Sequence, residues 1–243
     1  MKLNKKLSFS SLFLIQLLFL FLTGCHIRYG LYDDDRPVEI REKNFYINNF
    51  TKLDIGNAMR VNVQRGDHFS VSAKGDRINV DDIDMTERNG VLKIYYRNNR
   101  NRRFPMDISI VMPNLRAVFF SGASESNVEG FDTGIIDIVL SDASKAAFNV
   151  RSQFLNIDLS GASSLNISGE CQKINGYFSG ASNLYAFNLY SDEAEIDASG
   201  ASSVRINILK YLKARASGAS RIRYRGNPSI DRNLSGGSAL ERD

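Results

Sequence analysis

A four-residue motif recurs along the second half of the chain and leaves few folds open to it. SGAS begins at positions 121, 160, 179, 199 and 217, SDAS begins at 141 and SGGS at 235, so successive copies start 18–20 residues apart. A repeat of this length is too short for a helix pair, which needs more than about 30 residues, but it suits one turn of a β-solenoid. We therefore predict an all-β solenoid with 18–20-residue rungs over residues 121–243.

The residues on either side of the motif alternate in the way that strands do. The position directly before the motif is apolar, as at Phe120, Leu140 and Leu159, whereas the position one place earlier holds polar residues such as Asp158 and Tyr177. A period of two places one face of a strand in a core and the other in solvent. The residues after the motif alternate too, so each rung is predicted to contain at least two strands that meet at the motif.

The composition of the motif is that of a tight corner. Its second position is Gly in six copies and Asp142 in the seventh, which predicts the left-handed backbone that these residue types tolerate. Its third position is Ala in six copies and Gly237 in one, which predicts a crowded site. Serine fills the first and fourth positions of all seven copies, and we expect the hydroxyls to form ladders between rungs. No base accompanies these serines, so we interpret them as structural.

The section before the repeats is also predicted to be rich in strands. Turn signals at residues 65–67 and 74–76 divide alternating runs, and Asn89-Gly90 is a strong hairpin signal. No linker separates residues 45–120 from the first motif. We expect this N-terminal β section to cap the solenoid or to form its first, less regular rungs.

The N-terminus has the organisation of an export signal. Three lysines within the first six residues precede an apolar run at 12–22, and LTGC ends at Cys25. The apolar run is shorter than the roughly 20 residues of a membrane span, and the order of segments is that of a secretory signal. LTGC resembles the lipobox of bacterial lipoproteins. We predict a lipoprotein signal peptide over 1–24 with lipid attached to Cys25; the alternative is an ordinary signal peptide with an incidental cysteine.

The segment after the signal is polar and lacks periodicity. We predict that residues 25–44 form a lipidated cysteine and flexible tether. Its acidic run at 33–35 resembles the surface-export signals of some Gram-negative lipoproteins, although a hydrated spacer would have the same composition. If Cys25 carries lipid, no disulfide can form within the chain, and we predict that Cys171 is a small buried or half-buried apolar residue rather than a nucleophile.

Charged and aromatic residues at solvent-facing positions define the candidate sites. Part of the net charge of +4 lies in the basic run NNRNRR at 98–103, which we interpret as a solvated loop, with contact to phosphate or an anionic glycan as the alternative. Tyr177 and Tyr185 would suit stacking on a sugar. Four acidic residues at predicted outward positions would suit Ca²⁺, although they lack calcium β-roll spacing and a solvated face is favoured: Asp137, Asp158, Glu195 and Asp197. We predict no catalytic, cofactor-binding or metal-binding residue.

Several of these stretches together resemble one known family. VNVQRGDHFSVSAKGD, NGVLKIYYR and ISIVMPNLRAVFFSGAS, followed by the SGAS units, are similar to the DUF2807 family, the head GIN domain of autotransporter adhesins. The likeness extends over about residues 45–243. It implies a right-handed parallel β-helix, a location outside the cytoplasm and a role in adhesion, and it brings no catalytic residue with it.

These observations predict a non-enzymatic cell-envelope lipoprotein of the bacterial outer membrane, on its surface or periplasmic face. The rigid solenoid would serve adhesion or contact with a surface protein or glycan, and the lipid anchor would hold it on the membrane. The alternatives are a structural envelope protein that self-assembles as a homo-oligomer through its strand ends, and a polysaccharide-processing β-helix enzyme. Short rungs leave little room for the long loops of such an enzyme. Export disfavours a nucleic-acid partner.

Overall fold

The computed structural model describes residues 39–243, most of which are β-strand. The elements in chain order are β1 (Ile40–Phe45), β2 (Lys52–Ile55), β3 (Arg60–Arg65), β4 (Ser70–Asp76), α1 (Arg77–Asp82), β5 (Ile83–Arg88), β6 (Val91–Tyr96), β7 (Asp107–Met112), β8 (Ala117–Phe120), β9 (Glu125–Leu140), β10 (Lys145–Leu159), β11 (Ser164–Phe178), β12 (Asn183–Ala198), β13 (Ser203–Ala216), β14 (Arg221–Arg225), β15 (Ser229–Leu234) and β16 (Ala239–Arg242). The first strand begins at Ile40, so regular structure starts before residue 45.

The repeats form a parallel β-solenoid. Strands β9 to β13 are 14–16 residues long, and each runs from one corner motif to the next. Neighbouring long strands pair in parallel, so that Leu140, Leu159 and Phe178 lie in one column that continues through Ala198 and Ala216. The chain advances by one strand spacing per motif and builds about seven turns. The predicted solenoid is confirmed.

Each rung presents two outward surfaces that meet at the corner. We call the outward side chains of the strand segments before the motifs the pre-corner face, and those of the segments after the motifs the post-corner face. The inward side chains of both segments are apolar and almost fully buried, as Ile138, Ile157, Ile167 and Ile196 are. Burying one such side chain stabilises the fold by about 2 kcal/mol. A slip of one residue would turn a whole column to water, so this alternation fixes the register.

The corners have the backbone that the motif predicts. The second residue of every motif has φ between 60° and 69°, Asp142 included. Close stacking is a further reason for glycine, because a Cβ on Gly161, Gly180 or Gly200 would lie 2.5–2.6 Å from the carbonyl oxygen of the preceding corner. Asp142 is the one second-position residue of the seven motifs that is not glycine, and its carboxylate accepts a hydrogen bond from the backbone N–H of Gly122 at 3.1 Å. The aspartate thus combines a tolerated backbone with a bond that glycine lacks.

Two predictions about the motif are wrong. The fourth serine is 0–1% exposed in six motifs, and the hydroxyls of Ser144 and Ser220 each lie 2.8 Å from the carbonyl oxygen of their motif's first serine and 3.2 Å from that of the residue before the previous motif. Within residues 39–243 no hydroxyl-to-hydroxyl ladder joins the motif serines: Ser144, Ser220 and Ser238 donate to backbone carbonyls instead, and the buried hydroxyls of the other four fourth-position serines have no hydrogen-bond partner. The residue at the third position is exposed to solvent in all seven motifs, so this position is not the crowded site that was predicted.

The N-terminal section both begins the solenoid and covers its end. Strands β2 and β3 form a rung, because Ile55 pairs with Phe120 and Arg60 with Glu125 across the first SGAS corner. The corner of this rung includes Asn57 and has left-handed φ of 63° there. Strands β6 and β7 pair in parallel with β2 and β3, and the antiparallel strands β5, β4 and β1 complete the cover.

The opposite end of the solenoid consists of β15 and β16. Among the described residues, β15 pairs only with β13 and β16 only with β14. Arg232 is in register with Ala214, and Arg242 with Tyr224, so both arginines stand in columns that hold inward residues elsewhere. Charged residues at such positions oppose pairing with further strands. No helix within residues 39–243 is both long enough and apolar enough to cross a membrane.

Candidate binding surface

The pre-corner face carries an unusual number of exposed large apolar side chains. Five of them are between 38% and 59% exposed: Phe119, Ile135, Phe154, Tyr177 and Tyr211. Ile135 and Phe154 are direct partners on neighbouring strands, as are Phe119 and Val139. Exposed apolar side chains in adjacent positions are typical of interaction surfaces rather than of solvated sheets.

The post-corner face is polar by comparison. Its outward columns directly after the motifs hold residues such as Glu125, Lys145 and Ser164, and they expose the aromatic ring of Tyr185; Tyr190, also exposed, lies farther along β12, midway between two motifs. The guanidinium of Arg205 lies 4.8 Å from the centre of the Tyr185 ring, which covers part of that ring with charge. The two faces therefore differ in chemistry although the same rungs build both.

A shallow groove of about 400 Å³ follows the corners along the later rungs of the pre-corner face. We call it the corner groove. Asp158, Tyr177, Asp197, Arg215 and Asn233 succeed one another along it as register partners on adjacent strands. The motif serines 179, 199 and 217 form its rim. The groove thus combines one aromatic ring with a row of polar groups.

The charges in the corner groove are largely paired. Arg215 contacts Glu195 at 3.2 Å and Asp197 at 3.0 Å, and Lys213 contacts Glu195 at 3.1 Å. The hydrogen bond from Lys213, with the charges of Lys213 and Arg215, holds the pKa of Glu195 below its usual range despite some desolvation. The hydrogen bond to Asp197 raises the pKa of Arg215. Glu195 and Arg215 are therefore charged at neutral pH.

Two side chains of the corner groove stand apart from this network. Neither the carboxylate of Asp158 nor the hydroxyl of Tyr177 has a hydrogen-bond or ion-pair partner among residues 39–243. The Tyr177 ring is 59% exposed. An open aromatic ring beside unpaired polar groups can stack on a flat ligand and exchange hydrogen bonds with it.

The structure separates Tyr177 and Tyr185, which the sequence suggested as stacking residues for a sugar. Tyr177 precedes a corner and Tyr185 follows the same corner, so they lie on different faces. Asp137 accepts a hydrogen bond from Asn156 at 2.7 Å, and Asn156 accepts one from Asn175 at 3.0 Å, which forms a ladder along the sheet. No group of three or more His, Cys, Asp or Glu residues is placed to hold a metal ion in the described part of the chain.

Of the two cysteines in the chain, Cys171 lies within the described residues and Cys25 does not. Cys171 is buried, as predicted, and desolvation raises the pKa of its thiol to about 11. A thiol of that kind is a poor nucleophile at neutral pH. The predicted lipid site Cys25 and the predicted signal peptide lie outside the described residues.

Sequence reasoning missed the apolar part of the pre-corner face. A signal was present, because Phe119, Ile135 and Phe154 occupy the alternation phase that places a side chain outward. Each is an apolar residue where a solvated sheet would have a polar one.

Comparison with solved structures finds the same fold in proteins of Bacteroides and Parabacteroides. A "putative adhesin" from Bacteroides fragilis has 20% identity and a TM-score of 0.78, and the match covers 84% of this chain and 96% of that one. A "putative adhesin" from Parabacteroides distasonis has 16% identity, a TM-score of 0.71, and coverage of 84% and 97%. A "putative lipid binding protein" from the same species has 16% identity, a TM-score of 0.68, and coverage of 85% and 97%. At such identities the likeness concerns the fold alone.

Comparison with curated proteins finds no match. Residues 49–228, about three quarters of the chain, match the family DUF2807, described as "Putative auto-transporter adhesin, head GIN domain". The matched segment contains the N-terminal rung and six of the seven corner motifs. An adhesin acts at or beyond the cell envelope, which agrees with the coarse location that the N-terminus predicts. By sequence and by fold, this chain belongs to the DUF2807 family.

Proposed function

We propose that the protein is a non-enzymatic adhesin of the cell envelope that contacts a surface protein or glycan through its pre-corner face. The observation that carries the proposal is the asymmetry between the two faces. The pre-corner face exposes five large apolar side chains, Phe119, Ile135, Phe154, Tyr177 and Tyr211, whereas the outward columns directly after the motifs expose Tyr185. Tyr190 and Leu209 are exposed as well, but they lie in the middle of β12 and β13, between the two segments. Aromatic residues are enriched at interfaces because they bury a large area at a small cost in conformational entropy.

In this proposal, lipid on Cys25 anchors the protein to the bacterial outer membrane. The support is the order of lysines, apolar run and LTGC in the first 25 residues. Two or three acyl chains would hold the protein far more firmly than a single chain. The rigid ladder of the solenoid would then present the pre-corner face to partners without a further conformational change.

The two alternative functions have less support. Self-assembly through the strand ends is opposed by Arg232 and Arg242, which stand in inward columns of the last rung. A polysaccharide-processing site would need a carboxyl group whose pKa is raised so that it can act as a general acid. Beside the corner groove, the pKa of Glu195 is instead lowered by Lys213 and Arg215.

The test of adhesion uses cells that express the full chain, beside a deletion strain. Adhesion to protein-coated and glycan-coated surfaces is scored for wild type, Phe154→Ser and the matched control Tyr185→Ser, with surface amounts equalised by immunoblot. We expect Phe154→Ser to reduce adhesion several-fold and Tyr185→Ser to leave it unchanged. Equal adhesion by the deletion strain and the wild type would overturn the proposal.

The test of the anchor uses protease treatment of intact cells. We expect wild-type protein to be cleaved from the surface and the Cys25→Ala variant to be released into the medium. Protection of the wild-type protein until the outer membrane is breached would contradict surface display. It would place the solenoid on the periplasmic face instead.

A further inference from the structure

A second depression lies at the N-terminal end of the solenoid, beside its first two corners. It has a volume of about 550 Å³, and its lining includes Tyr96, Arg97, Asn98, Arg100 and Arg102. Asn57 and Gly122, the left-handed residues of the two corners, complete its wall. We call it the basic groove, since three guanidinium groups converge on it.

The most buried of these arginines is held by stacking and by an ion pair. The guanidinium of Arg102 lies 3.5 Å from the centre of the Tyr96 ring. It also pairs with the buried carboxylate of Asp82 and donates to the carbonyl of Asn98 at 2.8 Å. Its side chain is only 12% exposed. Arg102 is therefore part of the framework of the groove, which corrects the prediction of a solvated loop for this residue.

The two more exposed arginines are positioned by backbone carbonyls. Arg100 donates to the carbonyl of Ile78 at 2.6 Å and lies 3.4 Å from Asp82. Arg97 donates to the carbonyl of Asp81. A guanidinium has five N–H donors, so each of these groups is fixed in place with donors to spare. Pre-organised side chains lose little conformational entropy when a ligand binds.

The positive charge of the basic groove exceeds the negative charge around it. Asp82 is the carboxylate that Arg100 and Arg102 share. The neighbouring carboxylate of Asp81 is occupied by Arg41 at 2.6 Å and by Arg77 at 3.7 Å. The balance of charge is different at the corner groove, where a single guanidinium group, that of Arg215, contacts two carboxylates. A net positive potential therefore remains in the basic groove.

We infer that the basic groove binds a phosphate-bearing group through Arg97 and Arg100. Guanidinium groups recognise phosphate through paired N–H donors, and two of them in the lining of one groove suit an oxyanion with several acceptor oxygens. The inference does not depend on the adhesion proposed above, since none of the five exposed apolar residues of the pre-corner face lines the basic groove. The phosphate can belong to a lipid headgroup or to a soluble ester.

The experiment measures binding of both sources to the full chain. Calorimetry with inorganic phosphate and pyrophosphate tests the soluble source. Co-sedimentation of the Cys25→Ala chain with vesicles of phosphatidylglycerol, beside vesicles of phosphatidylcholine, tests the headgroup. The key variant is Arg97→Gln/Arg100→Gln, and the control Arg221→Gln/Arg223→Gln removes the same charge from the post-corner face.

We expect the groove variant to lose at least about tenfold in affinity for whichever source binds, and the control to change less than about twofold. Arg97→Lys/Arg100→Lys, which keeps the charge but removes the planar fork, should lose an intermediate amount. Thermal melting of each variant excludes unfolding as the cause. Binding to neither source, or equal loss in the groove variant and the control, would overturn the inference.

Discussion

Gly169 gives the most direct test of the stacking geometry. It lies within β11 at φ +122°, a backbone conformation that L-residues rarely adopt, and a Cβ at this position would lie 1.9 Å from the carbonyl oxygen of Val150 on the preceding rung. The strained backbone costs about 1–3 kcal/mol, and forcing the strands apart costs about as much again. We therefore expect Gly169→Ala to lower the free energy of unfolding by about 4 kcal/mol.

Gly134 provides the matched control. It also lies within a long strand, β9, but its φ is not left-handed and no atom lies within 4 Å of a Cβ added there. Gly134→Ala should be neutral or stabilise the fold by up to about 1 kcal/mol, because alanine reduces the entropy of the unfolded chain. Thermal melting followed by circular dichroism measures both variants. A drop of about 2–4 °C per kcal/mol is expected for a chain of this size. Similar melting temperatures for the two variants would refute the stacking argument.

Three further predictions concern single side chains. Asp142→Ala should destabilise the fold by about 2 kcal/mol, since it loses the bond to the Gly122 N–H and strains a left-handed residue, whereas Asp142→Asn should cost less than half of that in the same urea titration. Burial would raise the pKa of Asp82, but hydrogen bonds from Asn98 and Arg102 and the charge of Arg100 outweigh it and lower the pKa. Its contribution to stability is therefore present at neutral pH and lost as the pH falls below about 4. Asp82→Asn should cost about 2 kcal/mol at pH 7 and flatten the acid limb of stability against pH; an unchanged acid limb would contradict this. The Cys171 thiol, with its pKa raised to about 11 by burial, should resist iodoacetamide at pH 8 in the native protein and react after denaturation, as mass spectrometry would show.

The sequence was most informative at positions where a single physical requirement explains the residue type found there. The motif spacing and the left-handed second position followed from the repeated glycines and from Asp142, and both are confirmed. First rungs were among the expectations for the N-terminal section, but the position of their corner was not predicted, because residues 56–59 read GNAM and contain no serine. The serine ladder was wrong: the hydroxyls of Ser144, Ser220 and Ser238 donate to backbone carbonyls, whose positions a sequence does not display, and no motif serine bonds to the hydroxyl of another within residues 39–243.

The candidate surfaces were predicted only in part. Tyr177 and Asp158 were singled out from their outward phase, and they line the corner groove. They lie on a different face from Tyr185 because they precede a corner and Tyr185 follows one. The sequence interpretation did not take into account that the segments before and after a corner form different faces. Burial of Arg102 was unexpected, because its partner Asp82 is 20 residues away in the chain and the pairing depends on how β5 and β6 cover the first rung.

The uniform corner column has a consequence for how such proteins diversify. Because Gly161, Gly180 and Gly200 occupy equivalent positions, a duplication or loss of one motif-to-motif unit in the gene would leave every other strand in register. Each such event would change the distance between the N-terminal cover and the last rung by about 4.8 Å. The pre-corner face would grow or shrink by one row of side chains at the same time. The length of the molecule and the extent of its contact surface can thus evolve in discrete, matched steps without redesign of the core.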